Sequence, residues 1–134
     1  MKKKRIVIAL GHEALGTTLP EQKEAAKRTA AAIADFAELD YEIVITHSNG
    51  PQVGMIHTAM SEFYKNHEAY TPTPMSVASA MSQGYIGYHL QQAICSEMDR
   101  QYKRGHVATV VTQIEVDPDD PALLEPTKPI GAYL

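Results

Sequence analysis

Three short apolar runs stand out along the chain: Ile6-Val7-Ile8-Ala9-Leu10, Ile43-Val44-Ile45-Thr46 and Val107-Ala108-Thr109-Val110-Val111. Each is too short for a helix and lacks polar alternation, the pattern of a strand buried on both faces of a parallel sheet. Between the runs, apolar residues recur at steps of three and four. Ala26, Ala30, Ile33 and Ala37 share one helical face, with Thr29 and Phe36 alongside. Val53, Ile56, Met60, Phe63 and Tyr64 make a second face, and Ile86, Leu90, Ala93, Ile94 and Met98 a third. The pattern predicts strands near 5–10, 42–46 and 107–113, the last possibly continuing through Ile114 and Val116. Helices are expected near 19–39, 51–65 and 75–103. The first two strands with their helix form one β-α-β unit.

Punctuation supports these boundaries. Thr18 and Glu21 form a capping box around Pro20. Asn49 stands at an N-cap position, with Pro51 in the first turn and Gln52 three residues on. Lys103-Arg104-Gly105 reads as a basic last turn with a C-cap glycine. Gly84 and Gly87 interrupt the third helix, each at a cost of about 1 kcal/mol relative to alanine, so the space they leave is expected to serve a neighbouring backbone or ligand. Asp117-Pro118-Asp119-Asp120-Pro121 is turn chemistry.

The 134 residues, 44% of them hydrophobic, suffice for a single domain, 1–134, around one core. A net charge of −4 offers no basic face to nucleic acid. Lys2-Lys3-Lys4-Arg5 reads as a solvated lead-in to the first strand. No apolar run reaches the roughly 18 residues of a membrane span, and no signal-peptide core follows the basic start. The one cysteine, Cys95, excludes an internal disulfide and fits a reducing cytoplasm. It lies among helical apolar positions and reads as packing. The six histidines share no ligand spacing, so no metal site is expected from them.

Chemistry is expected where the strands end. In a parallel sheet, Gly11-His12-Glu13-Ala14-Leu15-Gly16, His47-Ser48-Asn49-Gly50 and the region beyond Gln113 come together at one edge, the usual ligand site of such sheets. A helix starting directly off a buried strand aims its free N–H groups at that edge, where an anion binds. Taken alone, the second loop is equally a well-capped strand-to-helix turn. The glycine loop matches neither the P-loop nor the dinucleotide fingerprint. Lys128, between Thr127 and Pro129, is either a solvated charge or a phosphate clamp.

Six segments together narrow the reading. Ile6–Gly11, Thr46-His47-Ser48-Asn49-Gly50-Pro51-Gln52-Val53-Gly54, Ser82-Gln83-Gly84-Tyr85-Ile86-Gly87-Tyr88, Val107–Gln113, Val116–Pro121 and Pro126-Thr127-Lys128-Pro129-Ile130-Gly131 resemble carbamate kinases, in the family's order and across the whole chain. The resemblance implies an α/β, three-layer α/β/α amino-acid-kinase fold with a mostly parallel sheet, usually homodimeric. The implied reaction is phosphoryl transfer between ATP and carbamate, giving carbamoyl phosphate and ADP, often run toward ATP in arginine metabolism. By motif position, Gly11 and its loop (His12, Glu13) would cradle the transferred phosphoryl group. Ser48, Asn49 and Gly50 would hold carbamate or phosphoryl oxygens, and Lys128 would neutralise charge developing in the transition state. ATP or ADP with Mg²⁺ is the expected cofactor set.

Two departures qualify the resemblance. The family's first loop reads Gly-Gly-Asn-Ala where this chain has Gly11-His12-Glu13-Ala14, placing a carboxylate where phosphate should sit. Carbamate kinases are also more than twice as long, and the remainder carries their nucleotide pocket, so this N-terminal part is expected to lack that site. The expected partners are carbamate or carbamoyl phosphate, a second copy, and a separate polypeptide with the nucleotide half. The alternative is a non-catalytic remnant that dimerises or binds anions. Neither nucleic acid nor membrane is expected as a partner.

Overall fold

The computed structural model describes residues 3–39 and 41–126. Strand β1 (Arg5–Leu10) leads through a 3-10 turn (His12–Ala14) into helix α1 (Leu19–Glu38), which returns to strand β2 (Glu42–His47). Helices α2 (Gln52–Lys65) and α3 (Met75–Arg100) follow, and a 3-10 turn at Pro121–Leu123 lies near the end of the described chain. β1 and β2 are parallel, in register from Arg5 opposite Glu42 to Leu10 opposite His47. The β-α-β unit forms as the apolar periodicity predicts, and the α/β class with it.

The core lies on one face of this sheet. Ala26, Ala30 and Ile33 of α1 meet Ile86, Leu90, Ile94 and Met98 of α3, with Leu15 between them. Ile8, Leu10, Ile43 and Ile45 pack onto that cluster from the strands. The alanines let α1 approach closely, as their spacing suggested. The expected capping box is present: the Glu21 carboxylate accepts from the Thr18 amide at 2.8 Å. That bond holds Glu21 below its ordinary range, since only the charged form accepts it fully.

Four expectations are corrected. The strands are covered on one face only: Val7 and Val44 on the other are 64% and 43% exposed. Among the described residues, no helix packs against that face. The outer part of the α2 apolar face is likewise open, with Met60, Phe63 and Tyr64 exposed.

The third run forms no strand among the described residues. Side chains of α3 hold it instead. Thr109 Oγ1 donates to Gln91 Oε1 (2.9 Å), the Thr112 amide donates to Gln83 Oε1 (2.7 Å), and Gln83 Nε2 donates to the Thr112 carbonyl (3.1 Å). A cleft of about 400 Å³ is lined by residues 43–47 and by Val107–Val110 and Thr112. Of the two interrupting glycines, Gly87 does serve a neighbour, since a Cβ there would fall 2.2 Å from Thr109 Cγ2. Gly84 has nothing within 4 Å of that position.

Finally, α3 stops at Arg100, before the predicted Lys103. Its end is a Schellman motif: the Lys103 amide donates to the Met98 carbonyl and the Tyr102 amide to Asp99. Tyr102, at φ 56°, takes the left-handed place foreseen for Gly105.

Candidate anion site at the strand ends

β1 ends at Leu10 and β2 at His47, opposite each other in the ladder, so the loops leaving the sheet begin side by side. The Ser48 amide donates to the Leu10 carbonyl at 3.0 Å, extending the ladder past both strand ends. His12 Nδ1–H donates to the Gly50 carbonyl at 2.8 Å, tying the first loop to the second and fixing the proton on Nδ1. Gln52 Nε2 donates to the Gly16 carbonyl at 3.1 Å, a third tie. The Gly11–Gly16 and Ser48–Gly50 loops thus form one unit over the N-terminus of α2, whose dipole favours a negative charge.

Gly16 is required where it stands. Its φ is +71°, and a Cβ would lie 2.7 Å from Glu21 C and 2.8 Å from Gln22 N. Any side chain there would push the loop off α1. Leu15, 5% exposed, anchors the same loop in the core.

Most of the expected site residues meet here. Gly11, His12 and Glu13 lie in the first loop, with Glu13 exposed in the 3-10 turn. Ser48, Asn49 and Gly50 lie in the second. Asn49 does not cap α2. The helix begins at Gln52 after Pro51, while Asn49 Nδ2 donates to Ser79 Oγ on α3 at 3.1 Å. The Asn49 carbonyl accepts the Val53 amide at 2.8 Å, so that amide is already engaged. The region beyond Gln113 is exposed, and the bonds of Thr112 run to Gln83. Lys128 lies outside the described residues.

The sequence reading gave Gln52 a place in the helix cap and missed its role here: it is 1% exposed and bridges α2 to the glycine loop. Its Oε1 is buried and has no hydrogen-bond partner among the described residues. The signal was available: a glutamine beside Val53 at the start of an apolar helix face faces inward. Ser79 and Ser82 were also missed. Ser82 is fully buried on the α3 face against which Asn49 rests.

A family model described as "Amino acid kinase family" matches residues 4–116. The chain belongs to the amino acid kinase family. Among curated relatives, this family member is 52% identical over 131 residues to the carbamate kinase-like protein YqeA of Escherichia coli, covering 97% of this chain and 42% of that protein. It is 45% identical over 134 residues to the carbamate kinase of Pyrococcus horikoshii, covering 96% and 42%. A solved Giardia lamblia carbamate kinase, bound to AMP-PNP, superposes with a TM-score of 0.87 at 34% identity over 98% of this chain and 42% of that one. The chain therefore spans well under half the length of these relatives. Parallel sheet, flanking helices and strand-end loops agree with an amino-acid-kinase fold represented in part.

No three His, Cys, Asp or Glu side chains converge among the described residues. Asp117 and Asp120 cap their own turn instead, accepting from the Asp119 and Ala122 amides. No described helix is long and apolar enough to cross a membrane.

Proposed function

We propose that this chain forms the carbamate and phosphoryl-group side of a carbamate kinase-type phosphotransferase. In that reaction a carbamate oxygen attacks the terminal phosphorus of ATP, the bond to the bridging oxygen breaks, and ADP leaves with the electron pair. The observation that carries the reading is the junction of the two loops, held by the His12–Gly50 hydrogen bond at 2.8 Å over a helix N-terminus. Phosphoryl transfer asks little of the protein beyond positioning and charge stabilisation, and backbone amides in a rigid loop supply both.

Gly11, His12 and Glu13 would offer amides to the phosphoryl oxygens. Ser48, Asn49 and Gly50 would hold carbamate, with Asn49 kept in place by Ser79. Lys128 would balance the charge developing on the transferred group. ATP would bring its Mg²⁺ and dock on groups outside this chain. The setting is a cytoplasmic one in arginine metabolism, and a homodimer is the expected assembly.

Glu13 gives the reading its test. A carboxylate about 4–5 Å from a bound anion costs roughly 3–4 kcal/mol at an effective dielectric near 20. Glu13→Asn should then tighten binding of inorganic phosphate or carbamoyl phosphate at least tenfold at pH 7. Calorimetry on both proteins at pH 7 is the assay. Equal affinities at pH 7, or no binding by either protein, would refute the placement of the anion.

A further inference from the structure

Two buried glutamines hold consecutive carbonyls where the first loop meets α1. Gln52, the first residue of α2, donates from Nε2 to the Gly16 carbonyl at 3.1 Å. Gln22, in α1, donates from Nε2 to the Thr17 carbonyl at 2.8 Å. The two residues are 1% and 5% exposed. Their other amide atoms differ. Gln22 Oε1 accepts from the Tyr85 hydroxyl of α3 at 2.7 Å. Gln52 Oε1 is buried with no partner among the described residues. Because the Gly16 carbonyl can only accept, turning the amide round would satisfy nothing.

An orphaned buried acceptor lowers stability, whereas an apolar side chain of the same shape carries no such penalty. What an apolar residue could not do is join the N-terminus of α2 to the end of the first loop. With His12, Gln52 makes a reciprocal clasp. The first loop sends the His12 side chain to the Gly50 carbonyl at 2.8 Å, and the helix after the second loop returns Gln52 to Gly16. The two ties grip the first loop near its start and at its end. Together they fix both its distance from the second loop and its rotation; one alone would leave it free to pivot.

We propose that Gln52 is a positioning residue: it sets the Gly11–Gly16 loop against the Ser48–Gly50 loop, and the fold carries it at a cost in stability. It acts on a ligand only through the loop, since its own polar atoms are buried. Gln22 is the contrast. With both amide atoms engaged, it stabilises the fold in the ordinary way. The consequence for anion affinity rests on the anion-site reading above; the positioning itself does not.

One substitution, glutamine to methionine, made at each site in the 134-residue chain, separates the two. Gln22→Met breaks two satisfied hydrogen bonds and should lower the thermal midpoint by at least about 3 °C. Gln52→Met keeps the length of the side chain and removes the orphaned oxygen, while the carbonyl of half-exposed Gly16 turns to water. Its midpoint should be unchanged or higher. The Ala14 and Leu15 amides, which close the 3-10 turn, should nonetheless exchange at least tenfold faster, with no change at Ile33 and Ile94 in the core. Inorganic phosphate should bind Gln52→Met at least tenfold more weakly than the parent, read by calorimetry. A midpoint lowered as far by Gln52→Met as by Gln22→Met, or a Gln52→Met chain that does not fold, would overturn the proposal by making Gln52 an ordinary structural residue. Loop amides exchanging at the parent rate would overturn it too, as would undiminished phosphate affinity where the parent binds phosphate. A parent without phosphate affinity sinks the anion-site reading alone, because the midpoints and exchange rates still decide the role of Gln52.

Discussion

Three glycines with different surroundings allow the packing argument to be tested by one substitution, glycine to alanine. At Gly16 the new methyl meets two penalties. The residue sits at φ +71°, where a non-glycine residue costs about 1–2 kcal/mol. Its Cβ would also lie 2.7 Å from Glu21 C and 2.8 Å from Gln22 N, backbone atoms of the first turn of α1 that cannot rotate away. Overpacking of that kind costs about 1–3 kcal/mol, so the total is about 2–5 kcal/mol. At Gly84, in the exposed interior of α3 with nothing within 4 Å, the same change removes a poor helix former and should stabilise by about 1 kcal/mol. At Gly87 that gain is opposed. Thr109 Cγ2 would be 2.2 Å away, and turning it aside breaks the Thr109–Gln91 hydrogen bond, worth about 0.5–1.5 kcal/mol. Gly87→Ala should therefore come out near neutral. Urea unfolding of the three variants is the assay, with stability read from midpoints at constant slope. A Gly16→Ala protein within about 0.5 kcal/mol of the parent would refute the argument. So would a Gly84→Ala protein less stable than Gly87→Ala.

Two further outcomes are expected. Tyr102→Gly should stabilise the chain by about 1 kcal/mol, because Tyr102 is 98% exposed and holds the left-handed position of the Schellman motif at φ 56°; thermal unfolding checks this, and an unchanged or lowered midpoint would contradict it. The exposed Met60, Phe63 and Tyr64 on α2 lead us to expect self-association, which Phe63→Lys should weaken; sedimentation showing a monomer at tens of micromolar would count against it.

What the sequence made legible was local. Apolar runs and capping residues located β1, α1, β2, α2 and the start of α3, because each depends on residues within a few positions of one another. The third run was misjudged for the opposite reason. A strand exists only where a neighbour accepts its hydrogen bonds, and among the described residues Val107–Val111 has the side chains of a strand without that neighbour. The same holds for Val7 and Val44: β-branched residues announce burial, but the covering layer is not in their own stretch of chain. Gly11 and Asn49 do lie just past the ends of β1 and β2. The partner of Asn49 did not show, because Ser79 lies thirty residues away on another helix.

The strand-end loops and the sheet differ in what holds them. Ordering the six-residue loop Gly11–Gly16 costs about 1–2 kcal/mol per residue. The hydrogen bonds to Gly50 and from Gln52, at about 0.5–1.5 kcal/mol each, offset only part of that. The burial of Leu15 contributes about 1.5–3 kcal/mol more, and the 3-10 turn closes two bonds of its own, from the Ala14 amide to Gly11 and the Leu15 amide to His12. These partners lie within α1, α2, α3 and the loops themselves, so the loop conformation is set inside the described fold. The outer face of the sheet, where Val7 and Val44 are exposed, has no such cover among the described residues. The two strand-end loops, by contrast, are held by contacts that the described residues themselves supply.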